Sequence, residues 1–194
     1  MKTINLPDGS VVMLNASSGI NYNNIDWESS RSVNLEGEAF FKISKGSSFD
    51  VKTSAGSIRV FGTQFTVKDR DQYFEVICYE GKVRVDAGNQ SMFLTPGKMF
   101  RLLEGSITDD SLSTMTTPSW ISNISYFQSV PFHEVLDELE RQYKIEVDVN
   151  GVDVNQKFTG AFTNRDLDLA LKSISQPLKL TYSIRKNNSV VLSR

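Results

Sequence analysis

Two carboxylates flank a glycine at Glu36-Gly37-Glu38, and paired acids about 5 to 10 Å apart are what glycoside hydrolysis uses. Asp109-Asp110 offers a second acidic pair, whereas Asp8-Gly9 has the composition of an ordinary Asp-Gly turn. Nucleophilic chemistry is poorly supplied. It needs a nucleophile, a base and an orienting group, and the single histidine, His133, adjoins Phe132 but falls off the apolar stripe of its segment, as a solvated helix residue would. One cysteine and one histidine far apart do not make a zinc ligand set, and the glycines come singly rather than as phosphate-cradling GxGxxG or GxxxxGK[ST] loops. Cys78, in the apolar run VICY, reads as a buried structural thiol. Trp27, Trp120, Tyr22, Tyr79 and Tyr126 could stack on sugar rings, but single aromatics in strands and connectors are more often packing.

A near-copy elsewhere in the chain decides how Glu36 and Glu38 are read. VNLEGEAFFKIS (Val33 to Ser44) rhymes with VICYEGKVRVDA (Val76 to Ala87), and there Glu80-Gly81 is followed by Lys82, so the second acid is missing. Backbone geometry explains a duplicated Glu-Gly better than acid chemistry does, and both pairs are expected at turns. We therefore expect no catalytic residue, no metal and no cofactor.

Stepping outward, Gly9-SVVML, Gly37-EAFFKI, Gly56-SIRVF, Gly81-KVRVDA, Gly97-KMFRLL and Gly105-SIT each set a glycine before a strand-like run. Laying Gly37 on Gly81 also lays Phe49 on Phe93, which suggests duplicated units stacked as a β-helix or solenoid, or a sandwich of hairpins. The polar run Glu104 to Ser119 reads as a connector. Beyond it Phe132, Val135, Leu136, Leu139 and Tyr143 recur at helical spacing, with Pro131 at the first helical position and Asp137–Arg141 and Glu140–Lys144 as pairs four apart. Strands follow at KIEVDVN and KFTGAF. A second helix begins at a Thr163/Asp166 capping box and carries Leu167, Ala170, Leu171 and Ile174. LKLTYSI and SVVLS, joined by the turn Lys186-Asn187-Asn188, close a small α+β region with helices on one side of a short sheet, and ISYF is a candidate strand before it. The expected division is an all-β domain over 1–110, a linker over 111–120 and an α+β domain over 121–194.

Composition narrows the function classes. With 194 residues the chain can bury a substantial core, and a net charge of -2 without a Lys/Arg block argues against a polyanion ligand. No apolar run approaches the roughly 20 residues that span a bilayer, and the start lacks the apolar stretch of a secretory signal.

Taken together, LPDGSVVMLNASSGINY, RSVNLEGEAFFKI, FDVKTSAGSIRVFGTQFTV, EVICYEGKVRV and LTPGKMFRL resemble the periplasmic domain of FecR-family anti-sigma regulators. The second half is similar to the small domain that follows it in that family, itself akin to the N-terminal signalling domains of TonB-dependent transducers and secretins. The resemblance implies a periplasmic sensor fragment of a single-pass inner-membrane protein. The full protein would hold an extracytoplasmic-function sigma factor through a cytoplasmic segment and take its signal from an outer-membrane transducer. The short, polar-flanked strands of the second half suggest partner binding by strand addition. Candidates are Lys157, Phe158, Thr159, Gly160, Ala161 and Phe162, or Val190, Val191 and Leu192 of the last strand. A carbohydrate-binding or sugar-active β domain is the alternative, and it would require a solvent-facing aromatic platform or acid pair.

Overall fold

Alternating apolar residues separated by turn glycines build most of the first half into strands. The computed structural model describes residues 1–111, 116–186 and 188–194 and divides into two units, Met1–Pro118 and Ser119–Arg194. The first unit contains β1 (Lys2–Asn5), β2 (Val11–Leu14), β3 (Gly19–Tyr22), β4 (Arg31–Lys42), β5 (Phe49–Lys52), β6 (Ser57–Val60), β7 (Gln64–Arg70), β8 (Tyr73–Glu80), β9 (Val83–Ala87), β10 (Gln90–Leu94), β11 (Lys98–Leu103) and β12 (Ser106–Ser111). They form one curled sheet in the order β10-β9-β6-β5-β4-β7-β8-β11-β12, and β2 and β3 also pair with β4.

Strand β4 is the seam of this sheet. Its first half pairs with β3 and, in parallel, with β5; its second half pairs with β2 and β7. Val33, Leu35, Ala39 and Phe41 alternate along it into a single core shared with Phe49, Val51, Ile58, Phe65, Val67, Val76 and Val85. Phe41 stacks on Phe65 at 4.9 Å. The all-β expectation therefore holds, in the form of a sheet curled on itself.

The two Glu-Gly copies differ in place. Gly81 has φ 81° and turns β8 into β9, as expected, but Gly37, at φ 94°, lies inside β4 where the strand changes partners. Phe49 is buried, whereas its counterpart Phe93 is 59 % exposed beneath the Lys82 ammonium. The rhyme is thus a likeness of turn chemistry and alternation, without structural equivalence. Part of the expected connector is also a strand, since β12 pairs with β11; residues 112–115 of that connector lie outside the described ones.

The second unit runs through a 3-10 turn at Ser119–Ser122, β13 (Ile124–Pro131), α1 (Phe132–Tyr143), β14 (Glu146–Asn150), β15 (Lys157–Thr163), α2 (Leu167–Ser175), β16 (Thr181–Arg185) and β17 (Ser189–Ser193). The element order matches expectation, but the strands form two sheets, β13-β15 and β14-β17-β16. Phe127, Phe132, Phe158 and Phe162 meet at centroid distances of 5.6 to 6.3 Å, and Val135, Leu139, Leu171, Ile174, Val190 and Leu192 are buried.

Several local expectations shift by a few residues. Pro131 has ψ 146° and stays in β13, paired with Lys157, so it precedes α1 as its N-cap. Asp166, rather than Thr163, caps α2 by accepting from the Leu169 N–H at 3.0 Å; Thr163 remains in β15 and its hydroxyl accepts from Arg165 N–H. Arg141 turns to Glu138 instead of Asp137, and Lys144 is the left-handed C-cap of α1. Leu178 falls in a 3-10 turn, so β16 starts only at Thr181. The expected turn at Lys186 to Asn188 includes Asn187, which lies outside the described residues.

Candidate interaction edges

The acid pair is not assembled for chemistry. Glu36 is exposed, while Glu38 is 9 % exposed and its carboxylate accepts from the Asn15 side-chain amide at 2.8 Å. A carboxylate held by a buried amide in this way braces the β2–β3 connection to β4. Side chains of 108–111, which include Asp109 and Asp110, lie outside the described residues. His133, on the first turn of α1, has Nδ1 4.0 Å from Glu134 Oε1. Burial pushes the Cys78 thiol up to about 11, which makes it an unreactive core group.

The aromatic residues are mostly structural. Trp27 is 4 % exposed and packs edge-on against Tyr22 and Phe49, Trp120 is buried, and Tyr79 packs edge-on against Phe40. Only Tyr126 of the five is freely exposed. The hollow beside Tyr22 is lined by asparagine and serine side chains and by Asp26, and contains no indole. Those five aromatics and the Glu36–Glu38 pair therefore give the sugar-reading alternative neither a shared exposed platform nor a solvent-facing acid pair.

In the second unit the geometry concerns strand edges. Strand β17 lies between β14 and β16, so Val190, Val191 and Leu192 have strands on both sides and cannot accept another. That corrects the expectation for the last strand: parallel pairing with β14 on its far side places it centrally. Of the other candidates, Phe158 and Phe162 are buried in the aromatic cluster, and Lys157 and Thr159 are exposed. Gly160 lies over the Phe158 ring, where a Cβ would come within 2.8 Å. Among the described residues β15 pairs only with β13.

The available edges differ in how they are guarded. On β14 the Val147 N–H donates to the Glu140 carboxylate at 2.6 Å, which occupies a position an incoming strand would need. β13 is broken by a register shift between Phe127 and Val130, with Ser129 at φ 52° donating its N–H to the Thr159 hydroxyl. On β15 the Tyr143 hydroxyl donates to the Thr163 carbonyl at 2.5 Å. β16 has no such side-chain guard among the described residues. Sequence reasoning missed β14 and β16 as edges, because strand order within a sheet is not written in alternation.

Comparison with known proteins follows this architecture closely. The model of the FecR protein family matches residues 1–84, and that of the FecR C-terminal family matches residues 124–192. Two crystal structures of a candidate anti-sigma factor from Parabacteroides distasonis ATCC 8503 superpose on the chain. One, at 29 % identity, gives a TM-score of 0.90 over 98 % of this chain and 93 % of that one. The other, at 30 % identity, gives 0.91 over 100 % and 93 %. No protein of curated function matches significantly.

Proposed function

The chain belongs to the FecR family of anti-sigma factors, and from that premise we propose that it is the periplasmic sensing part of a membrane-anchored regulator. In this reading it relays a signal by protein contact from a TonB-dependent outer-membrane transducer to an extracytoplasmic-function sigma factor. Transducer contact falls to the second unit, and the link to the sigma factor runs through a cytoplasmic segment beyond these residues. No helix among the described residues is long and apolar enough to cross a membrane.

The observation that carries the reading is an α+β unit whose two small sheets both end in edge strands, of which β16 has no side-chain guard among the described residues. Open edges suit recognition, since backbone hydrogen bonds give affinity and alternate side chains give selectivity. Lys157, Phe158, Thr159, Gly160, Ala161 and Phe162 on β15 are one candidate contact, acting through backbone, Lys157 and Thr159. The experiment is capture of the chain by purified signalling domains of the cell's transducers, repeated with residues 119–194 removed. Binding by the full chain and none by the shortened one is expected. Undiminished binding after removal would move the contact to the β unit.

A further inference from the structure

Two backbone hydrogen bonds fix which backbone groups of the three-stranded sheet point outward. The Arg194 N–H donates to the Asn150 carbonyl and the Glu146 N–H to the Asn188 carbonyl, so residues 188, 190, 192 and 194 face β14. Alternation then turns Ser189, Val191 and Ser193 toward β16, where they oppose Arg185, Ser183 and Thr181. Tyr182 and Ile184 are left with N–H and C=O pointing away from the sheet. On β14 the same alternation turns Val147 outward, and there Glu140 already takes its N–H. The two edges of one sheet are thus unlike: on β14 a carboxylate takes the Val147 N–H, and on β16 no side chain among the described residues takes an outward backbone group.

Side chains around the open edge specify what it would take. Ile184 shares a face with buried Val190 and is 51 % exposed, an apolar margin ending at solvent. The opposite face carries Arg185, which reaches Asp148 across the sheet at 3.5 Å with both side chains more than half exposed, and Lys186 follows at the strand end. An added strand would set alternate residues beside Ile184 and beside Arg185. We infer that the β16 edge, through the Tyr182 and Ile184 backbone, takes an extended segment of a partner protein that alternates apolar with acidic residues. This rests on the relay reading above and narrows its contact from the second unit to one strand.

The test uses the full 194-residue chain and purified transducer signalling domains, read by calorimetry and by amide hydrogen exchange. Ile184→Pro removes one outward donor while leaving the β16–β17 bonds, and proline is tolerated on a solvent-facing edge. The expected result is a loss of affinity of about 30-fold or more, against less than about threefold for Ile184→Thr. In the wild-type complex the Tyr182 and Ile184 amides should gain protection, a readout that needs no variant and stands if Ile184→Pro fails to fold. Arg185→Glu should weaken binding about 10-fold, less so at high salt. Equal binding by wild type and Ile184→Pro, with those amides unprotected, overturns the edge assignment and leaves the relay reading standing. Protection of the same amides in the chain alone, together with a dimer by sedimentation, makes the occupant a second copy and also overturns it. If no transducer domain binds the wild type, the relay reading falls and the edge assignment falls with it.

Discussion

Gly37 and Gly81 share a neighbour, a positive φ and a place in the rhyme, yet they answer to different constraints. A Cβ at Gly37 would stand 2.7 Å from Ser18 Oγ and 2.8 Å from Arg70 Nη1. That guanidinium is pinned by bonds to the Ala16 and Ser17 carbonyls at 2.6 Å, so it cannot give way cheaply. Gly37→Ala should cost about 2–4 kcal/mol, combining the left-handed backbone penalty with the clash, against about 1–2 kcal/mol for Gly81→Ala. Urea melts of both variants check this, and equal midpoints would refute the seam role of Gly37. Asp8 carries a second residue-scale expectation. Burial raises its pKa, but the Ser10 backbone N–H and the Arg31 guanidinium outweigh it and hold the group below the ordinary carboxylate value. Because the folded-state value is depressed, the stabilisation is present in full above about pH 4 and is lost as pH falls through the folded value. Asp8→Asn should remove that contribution, so its acid melting curve should fall less steeply than that of the wild type below pH 4. Parallel curves would refute the assignment.

Among the elements, the helices show what periodicity can and cannot say. The α1 stripe was readable because Phe132, Val135, Leu136 and Leu139 recur at helical spacing, and all four are buried. The start of α2 was misplaced because Thr163 and Asp166 both suit a cap, and only the extent of β15 decides between them. Asp166→Ala should cost about 1 kcal/mol by thermal melting, with Thr163→Ala costing less. The reverse order would restore the capping box first expected. Strands were found and edges were not: alternation in SVVLS shows which face is buried, whereas its central position depends on where two distant segments return. The guard on β14 was hidden likewise, since Glu140 reads as a solvent-facing helix residue and its bond to Val147 arises from the tight left-handed exit of α1 at Lys144.

For the whole molecule, composition and punctuation were enough to anticipate a β unit followed by an α+β unit, and the resemblance carried by runs such as LPDGS, LEGEAFF and YEGKV pointed to the family. They were not enough to choose between a solenoid and a sandwich of hairpins, and the curled sheet that forms depends on β4 serving two sets of partners. The first unit's core draws on residues up to Leu102 among the described ones, so a chain ending at Pro118 should keep its β-sheet circular dichroism and a cooperative melt. Loss of both would show that the units are obligate partners. The double duty of β4 has a further consequence in time. Its partners β2, β3, β5 and β7 arrive from both sides of it in the chain, and neither half of the sheet has a seam until β4 is in place. Folding must therefore close many non-local pairings at once, which sets an expected rate on the order of milliseconds to seconds rather than microseconds. During that interval the unfinished sheet would present unpaired strands. Escort by a holding chaperone would serve this unit more than the small α+β unit behind it.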